Sequence, residues 1–358
     1  MTDSFLLTRV LLTFESDSDD LLAQLSAIAY TPDGSLWLGS DELTSIERLS
    51  LTGSNVYGAH QVFDTRKFLD LFDTESEIDI EGLDYSQGYL WVVGSHSVKR
   101  KQPKGKKIKK DIQRLSDIGI DNNRYLLARI PLLDGTLVSS CVSPDAPGQN
   151  LSAAMLAKTD QQNMLMTVLA EDVHLGPFIQ MNLPSKDNGL DVEGIAVSGD
   201  RVFLGLRGPV LRGWAIVLEL ELESTETNVL TLKPLDNGAL YRKHFIDLNG
   251  LGIRELCLQG DDLIILAGPT MALFGSMQVF RLKDVLERSK DAIWRQESGA
   301  LSVLFDLPIT VGADNAEGMT LFPCFGEDNA LMVVYDSPAQ QRRPNAHSIF
   351  ADVFQLPK

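Results

Sequence analysis

Cysteine is scarce in this chain. Its 358 residues include only Cys141, Cys257 and Cys324, odd in number and far apart. That argues against a disulfide framework and offers no spacing suited to zinc. Cys257, between Leu256 and Leu258, reads as a small buried hydrophobe. Long apolar runs are missing too. None approaches the roughly 18 residues that span a bilayer. Met1-Thr2-Asp3-Ser4 carries an acidic residue where a secretion signal wants a basic one. The expectation is a cytoplasmic protein with no membrane partner. Positive charge is also in deficit: 32 Lys and Arg stand against 49 Asp and Glu, for a net −17. Such a surface disfavours nucleic acid and anionic lipid. With 44% hydrophobic and 23% charged residues, the rest is ordinary globular composition, read as a single domain over 1–358.

One segment runs against the acidic balance. Lys99-Arg100-Lys101-Gln102-Pro103-Lys104-Gly105-Lys106-Lys107-Ile108-Lys109-Lys110 holds eight of the 32 basic residues, which leaves −25 on the remainder. It is either a loop that grips a polyanion or a solvated loop in an acidic protein. No aromatic residues interleave for base stacking, which argues against nucleic acid unless this loop alone binds it.

What the chain has in quantity is a repeat. Apolar-x-Glu-Gly-apolar occurs at Ile80-Glu81-Gly82-Leu83, Val192-Glu193-Gly194-Ile195 and Ala316-Glu317-Gly318-Met319. Each copy leads through a turn into a second apolar run. Aligning on that turn adds Leu25–Tyr30 with Leu36–Gly39, and Ile253–Leu258 with Leu263–Leu266. Asp-Gly and Gly-Asp turns between apolar runs are hairpin signals. The carboxylate position then reads Ser26, Glu81, Glu193, Arg254 and Glu317, at intervals of 55, 112, 61 and 63 residues. Repeats of this length with several strands each indicate an all-β propeller. Third strands follow at 45–49, 124–130, 215–220, 277–282 and 349–354, and outer strands at 61–64, 178–181, 244–247 and 303–306. The last unit lacks a fourth strand, which Leu7–Phe14 can supply to close the ring. The 112-residue interval admits a sixth blade. Five account for every strand if blade two carries a basic loop insertion at 98–123 and a helical insertion at 150–175.

In such a ring the innermost strands line the axis, so Ser26, Glu81, Glu193, Arg254 and Glu317 converge on one mouth. Three carboxylates that close raise each other's pKa unless a cation or Arg254 compensates. Three readings follow. A hard cation, Ca²⁺ or Mg²⁺, is held by Glu81, Glu193 and Glu317. Alternatively Arg254 makes an ion-pair network that closes the axis, or the Glu side chains accept backbone hydrogen bonds and staple blades together. A second set of residues ends the second strands on the same side: Asp41-Glu42, Ser95-His96, Arg207, Pro269-Thr270 and Asp336-Ser337. His96 is a candidate general base or ligand. Arg207 and Arg212, in the Gly- and Pro-rich Gly205–Ala215 segment, are candidates to bind an anion or to neutralise the Glu ring.

The strings Glu81-Gly82-Leu83, Leu90–Arg100, Lys186–Gly194, Gly205–Ala215, Gly250–Arg254 and Asp262–Met271 together resemble a bacterial family of propeller-like proteins classed as a domain of unknown function. That resemblance covers nearly the whole chain and implies a fold, not an activity. The Glu-Gly motif is more distantly similar to phytase-like and gluconolactonase-type propellers. The gluconolactonase likeness implies a divalent metal on the axis, held here by Glu81, Glu193 or Glu317. An Arg at position 254 opposes a cation there. The expected function is a metal-assisted hydrolase of a small anionic ester or lactone, with Glu81, His96, Glu193, Arg207, Arg254 and Glu317 as site residues. The alternative is a non-catalytic scaffold whose basic loop docks an acidic protein partner.

Overall fold

Five hairpins carry the repeat, and all five are present in the computed structural model, which describes residues 5–15, 19–144, 146–288 and 290–357. Their first strands are Leu25–Tyr30, Ile80–Ser86, Asp191–Ser198, Gly252–Gln259 and Asn315–Cys324. Each pairs antiparallel with the strand after it: Leu36–Ser40, Tyr89–Gly94, Arg201–Leu211, Asp262–Gly268 and Glu327–Asp336. A third strand follows in each unit: Ser45–Gly53, Leu127–Leu133, Trp214–Glu226, Gln278–Leu282 and Ser348–Gln355. The first strands neighbour one another in chain order, and the last returns to the first. The architecture is all-β and propeller-like, as the periodicity predicts.

The apolar core follows from this arrangement. It is divided into five layers, each between successive units. Trp37 and Ile46 pack on Ile80 and Leu90, Trp91 on Ile195 and Leu204, and Phe203 on Ile253 and Leu263. Ile264 and Leu266 then meet Met319 and Leu331, and Met332 meets Ile28 and Leu38. Each sheet buries both faces, which is why its inner strands are continuously apolar rather than alternating. Cys257 and Cys324 are buried and Cys141 is half-buried, all three as free thiols.

The Leu6–Thr13 strand closes the ring as expected, pairing antiparallel with Ser348–Gln355 through Leu12↔Ile349 and Val10↔Ala351. Its other edge touches Val56–Asp64 in a short parallel pairing at Leu11↔Val56. The first and last units therefore merge into one eight-stranded sheet.

Two expectations in the second unit are corrected. Of Phe178–Met181, read as the outer strand, Phe178–Gln180 lie in the helix Gly176–Gln180, which has Pro177 in its first turn, and Met181 caps its C-terminus. The outer strand is Ala154–Leu156, within the stretch read as helical. It pairs with Leu127–Leu133 on one side and Val229–Leu232 on the other, so tertiary pairing overrides the helix preference of Ala, Met and Leu. The helix begins only at Met164, where the Asn163 side chain accepts from the Met166 N–H at 3.0 Å. The basic insertion is a small arm. Lys99–Arg100 pairs with Ile118–Gly119, and the helix Ile108–Ser116 lies between them. No helix among the described residues is long and apolar enough to cross a membrane.

Candidate functional site

The repeat acquires its physical meaning at the inner strands. In every unit the pairing register slips at the aligned position: between Leu25 and Ala27, Ile80 and Gly82, Val192 and Gly194, Ile253 and Glu255, and Ala316 and Met319. Ser26, Glu81, Glu193, Arg254 and Glu317 are therefore bulge residues. A bulge turns its side chain out of the sheet alternation, here toward the shared axis. The following glycine serves the neighbouring unit. A Cβ on Gly82 would lie 2.9 Å from Ile195 Cγ2 and 3.1 Å from Ile195 N. One on Gly194 would lie 2.9 Å from Leu256 N. Glu supplies the axis, and Gly lets adjacent inner strands approach backbone to backbone.

The charges are then distributed unequally. Arg254, 6% exposed, sits between two carboxylates. Its Nε lies 3.0 Å from Glu193 Oε2, and its Nη2 donates to Glu317 Oε1. Arg207 ion-pairs with both Asp191 and Glu193. Opposing carboxylates push both guanidinium pKa values up despite burial. Glu317 is pushed well above the usual carboxylate range by burial, against the pull of Arg254. Burial likewise raises Asp191 to about 7, although Arg207 opposes the shift.

Glu81 differs from the others. It makes no ion pair or hydrogen bond with any described residue and is half-buried at the mouth. Burial first, then the fields of Glu193, Asp79, Glu317 and Asp191, raise it well above the usual range. The rim continues the acidic character. Asp41 is lifted to about 7 by burial and by Asp79, Asp336 and Glu42. Its Oδ1 is buried without a hydrogen-bond partner.

That shift gives a testable pH dependence. The folded state holds the Asp41 proton up to about 7, whereas the free carboxyl ionises near 3.8. The folded pKa is the higher one, so the destabilisation is absent below pH 4 and accumulates as pH rises toward 7. Asp41→Asn is expected to raise Tm by about 2–5 °C at pH 8 and to leave it unchanged at pH 4. Differential scanning calorimetry at both pH values checks this. A gain of equal size at pH 4 would contradict it.

Several expected site residues sit elsewhere or act differently. His96 is 1% exposed and contacts none of the axial carboxylates. Its Nδ1 faces Gly94 O at 2.8 Å and its Nε2 faces Asn163 Nδ2 at 2.8 Å. Both ring nitrogens are used by a neutral imidazole, and burial lowers its pKa to about 4. Arg212 is exposed at the tip of the hairpin joining Arg201–Leu211 to Trp214–Glu226, with φ of 51° followed by 91° at Gly213. It does not reach the axis. The stapling role falls to other residues. Glu255 Oε1 accepts from Ile195 N at 3.1 Å and Leu256 N at 2.8 Å. Asp84 Oδ2 accepts from Val197 N at 2.7 Å, and Ser26 Oγ donates to Ile80 O. These groups satisfy backbone at the inner edges of the sheets.

Glu81, Glu193 and Glu317, the expected cation ligands, are not equivalent at the mouth. Glu193 and Glu317 face guanidinium groups, whereas Glu81 makes no ion pair with any described residue. Among the described residues no cluster of three or more His, Cys, Asp or Glu side chains has metal-holding geometry. The donor set does not fit Ca²⁺ or Mg²⁺, since two of its three carboxylates face a positive charge. The same pairing removes Arg207 as a free anion receptor.

Asp79 and Arg124 went unread in the sequence, and Asp191 entered it only within the polar Lys186–Gly194 string. Arg124, 1% exposed, lies 2.8 Å from Asp79 Oδ2. A signal existed: Asp79 and Asp191 both precede their Glu by two residues, and Asn315 does so in the third copy. The full motif is Asp/Asn-x-Glu-Gly.

A family profile described as a protein of unknown function matches residues 24–352. No functionally curated protein matches the chain in sequence. Similar solved structures include virginiamycin B lyase from Staphylococcus aureus, at 11% identity and TM-score 0.38, covering 98% of this chain and 99% of that one. An oxidoreductase (glucose dehydrogenase) from Thermus thermophilus aligns at 13% identity and TM-score 0.39, over 97% of this chain and 100% of that one. A protein described as a gluconolactonase aligns at 11% identity and TM-score 0.39, over 92% and 73%. Likeness at this level carries no argument about activity.

Proposed function

We propose, from the premise that this chain belongs to the DUF3616 family of proteins of unknown function, that its axial mouth is a metal-independent acid–base site with Glu81 as the reacting group. Five blades is the count we adopt, because five inner strands form one closed cycle. The observation that carries the site is the contrast at the bulge positions: Arg254 holds Glu193 and Glu317, while Glu81 is unpaired. Burial and the neighbouring carboxylates raise the Glu81 pKa well above the usual range, the direction that suits a carboxyl giving its proton to a leaving oxygen. Hydrolysis of a small ester or lactone is the reaction this supports. Water adds to the acyl carbon, the C–O bond breaks, and the leaving oxygen takes the Glu81 proton. The carboxylate then recovers a proton from the added water. The acidic rim of Asp41 and Asp336, with no unpaired guanidinium at the axis among the described residues, favours a neutral substrate over an anionic one.

The test is turnover of a panel of neutral and anionic esters and lactones, followed by pH-stat titration with and without EDTA. Neutral substrates are expected to turn over regardless of EDTA, and Glu81→Gln is expected to lose about 10²–10⁴-fold in kcat with no fall in Tm. Activity abolished by EDTA, or kept in Glu81→Gln, would overturn the reading.

A further inference from the structure

The arm at 99–120 presents an apolar face that the fold leaves uncovered. Its helix, Ile108–Ser116, buries no residue. Ile108, Ile112 and Leu115 follow the i, i+4, i+7 spacing of one helix face and are 82%, 65% and 47% exposed. Ile118 and Ile120 extend the strip at 39% and 53%. A nine-residue helix is marginal in water on its own. Here it is held by Arg100 donating to Leu115 O and Arg114 donating to Gln102 O, while Arg100 also pairs with Asp187 at 2.7 Å. The arm is thus a braced element, with its apolar face left outward.

Its charge is equally unspent. Lys99 pairs with Glu77, and Lys101 lies 3.7 Å from Asp117. Lys104, Lys106, Lys107, Lys109 and Lys110 make no ion pair with any described residue. They stand on a chain whose other residues sum to −25. Cations that could have been neutralised by so acidic a protein are instead carried away from it, beside an apolar strip.

We infer that this arm docks an acidic amphipathic peptide segment of a partner protein, which lays apolar residues on Ile108, Ile112 and Leu115 and carboxylates against the lysines. Charge complementarity selects this occupant. The arm has no aromatic residue to stack a base, so single-stranded nucleic acid lacks a platform. An anionic bilayer would present its charge broadly to the acidic remainder of the chain, which a short peptide confined to the arm does not, and the strip has no Trp or Phe to seat in the interface. The inference is independent of the chemistry at the axis.

The experiment measures binding of the full chain by fluorescence anisotropy. The probe is a labelled Glu/Leu peptide with leucines at helical spacing. It is run beside a scrambled peptide of the same composition, an oligonucleotide and phosphatidylserine vesicles. The amphipathic peptide is expected to bind at least about tenfold more tightly than the scrambled one, with affinity falling as salt rises. Ile108→Ser/Ile112→Ser and, separately, Lys104→Gln/Lys106→Gln/Lys107→Gln are each expected to weaken it by at least about tenfold at unchanged Tm, since these side chains are exposed. Equal binding of the scrambled peptide, tighter binding of oligonucleotide or vesicles, or wild-type affinity in the Ile variant would overturn the inference. So would a concentration-dependent dimer, seen by sedimentation, that Ile112→Ser dissociates.

Discussion

Arg254→Met is expected to lower the unfolding free energy by about 3–5 kcal/mol at pH 8, the cost of stranding buried carboxylates without their cation. The guanidinium lies 3.0 Å from Glu193 Oε2 and donates to Glu317. Methionine fills comparable volume, so lost packing is minor and the loss is electrostatic. Arg207 still holds Glu193 in the variant, but Glu317 has no other ion pair among the described residues. The pH dependence follows from the sign. Uncompensated carboxyls bind protons more tightly in the folded state than in the unfolded one. The added penalty is therefore small near the unfolded value of about 4.3 and builds as pH rises. Urea denaturation at pH 8 and pH 4.5 measures both ends. Arg254→Met/Glu317→Gln is expected to regain about 2 kcal/mol at pH 8, because the stranded charge has gone. Equal losses at both pH values would mean that Arg254 acts by packing and not by charge.

Gly194→Val is expected to be of similar size, about 3 kcal/mol or more, for a purely steric reason. The first added carbon would sit 2.9 Å from Leu256 N and 3.0 Å from Glu255 C, both backbone atoms of the neighbouring inner strand. Neither can rotate away. Relief requires the two strands to part, which also stretches the bond from Ile195 N to Glu255 Oε1 across them. Gly53→Ala is the control. The nearest atom to its added carbon is 3.8 Å away, so a change within about 0.5 kcal/mol is expected. Thermal and urea unfolding of both variants measure the difference. Gly194→Val within about 1 kcal/mol of the native chain would show that the inner strands can slide apart at low cost.

Legibility in the sequence followed locality. The hairpins were readable because strand alternation and Asp-Gly turns act over a few residues. The closing role of Leu6–Thr13 was readable because an unpaired edge needs a partner. The second unit misled because Ala154–Leu156 is a strand only through its neighbours at Leu127–Leu133 and Val229–Leu232. Without those, Ala, Met and Leu read as helix. His96 misled for a related reason: its partners Gly94 and Asn163 come from the sheet end and from a helix cap 67 positions on.

The repeat itself was wholly in the sequence: five aligned positions, three Glu, one Ser and one Arg, each at a point where the inner strand needs a bulge. Periodicity is local, so one chain read end to end suffices to find it. Which carboxylate keeps its freedom was decided by the ring. Arg254 reaches backward to Glu193 and forward to Glu317 because their strands flank its own, and Arg207 turns onto Asp191 and Glu193 within its hairpin. Charge compensation acts between neighbours in space. Only closure of the strands around one axis makes neighbours of residues some 60 positions apart, and only that closure leaves Glu81 without an ion pair among the described residues.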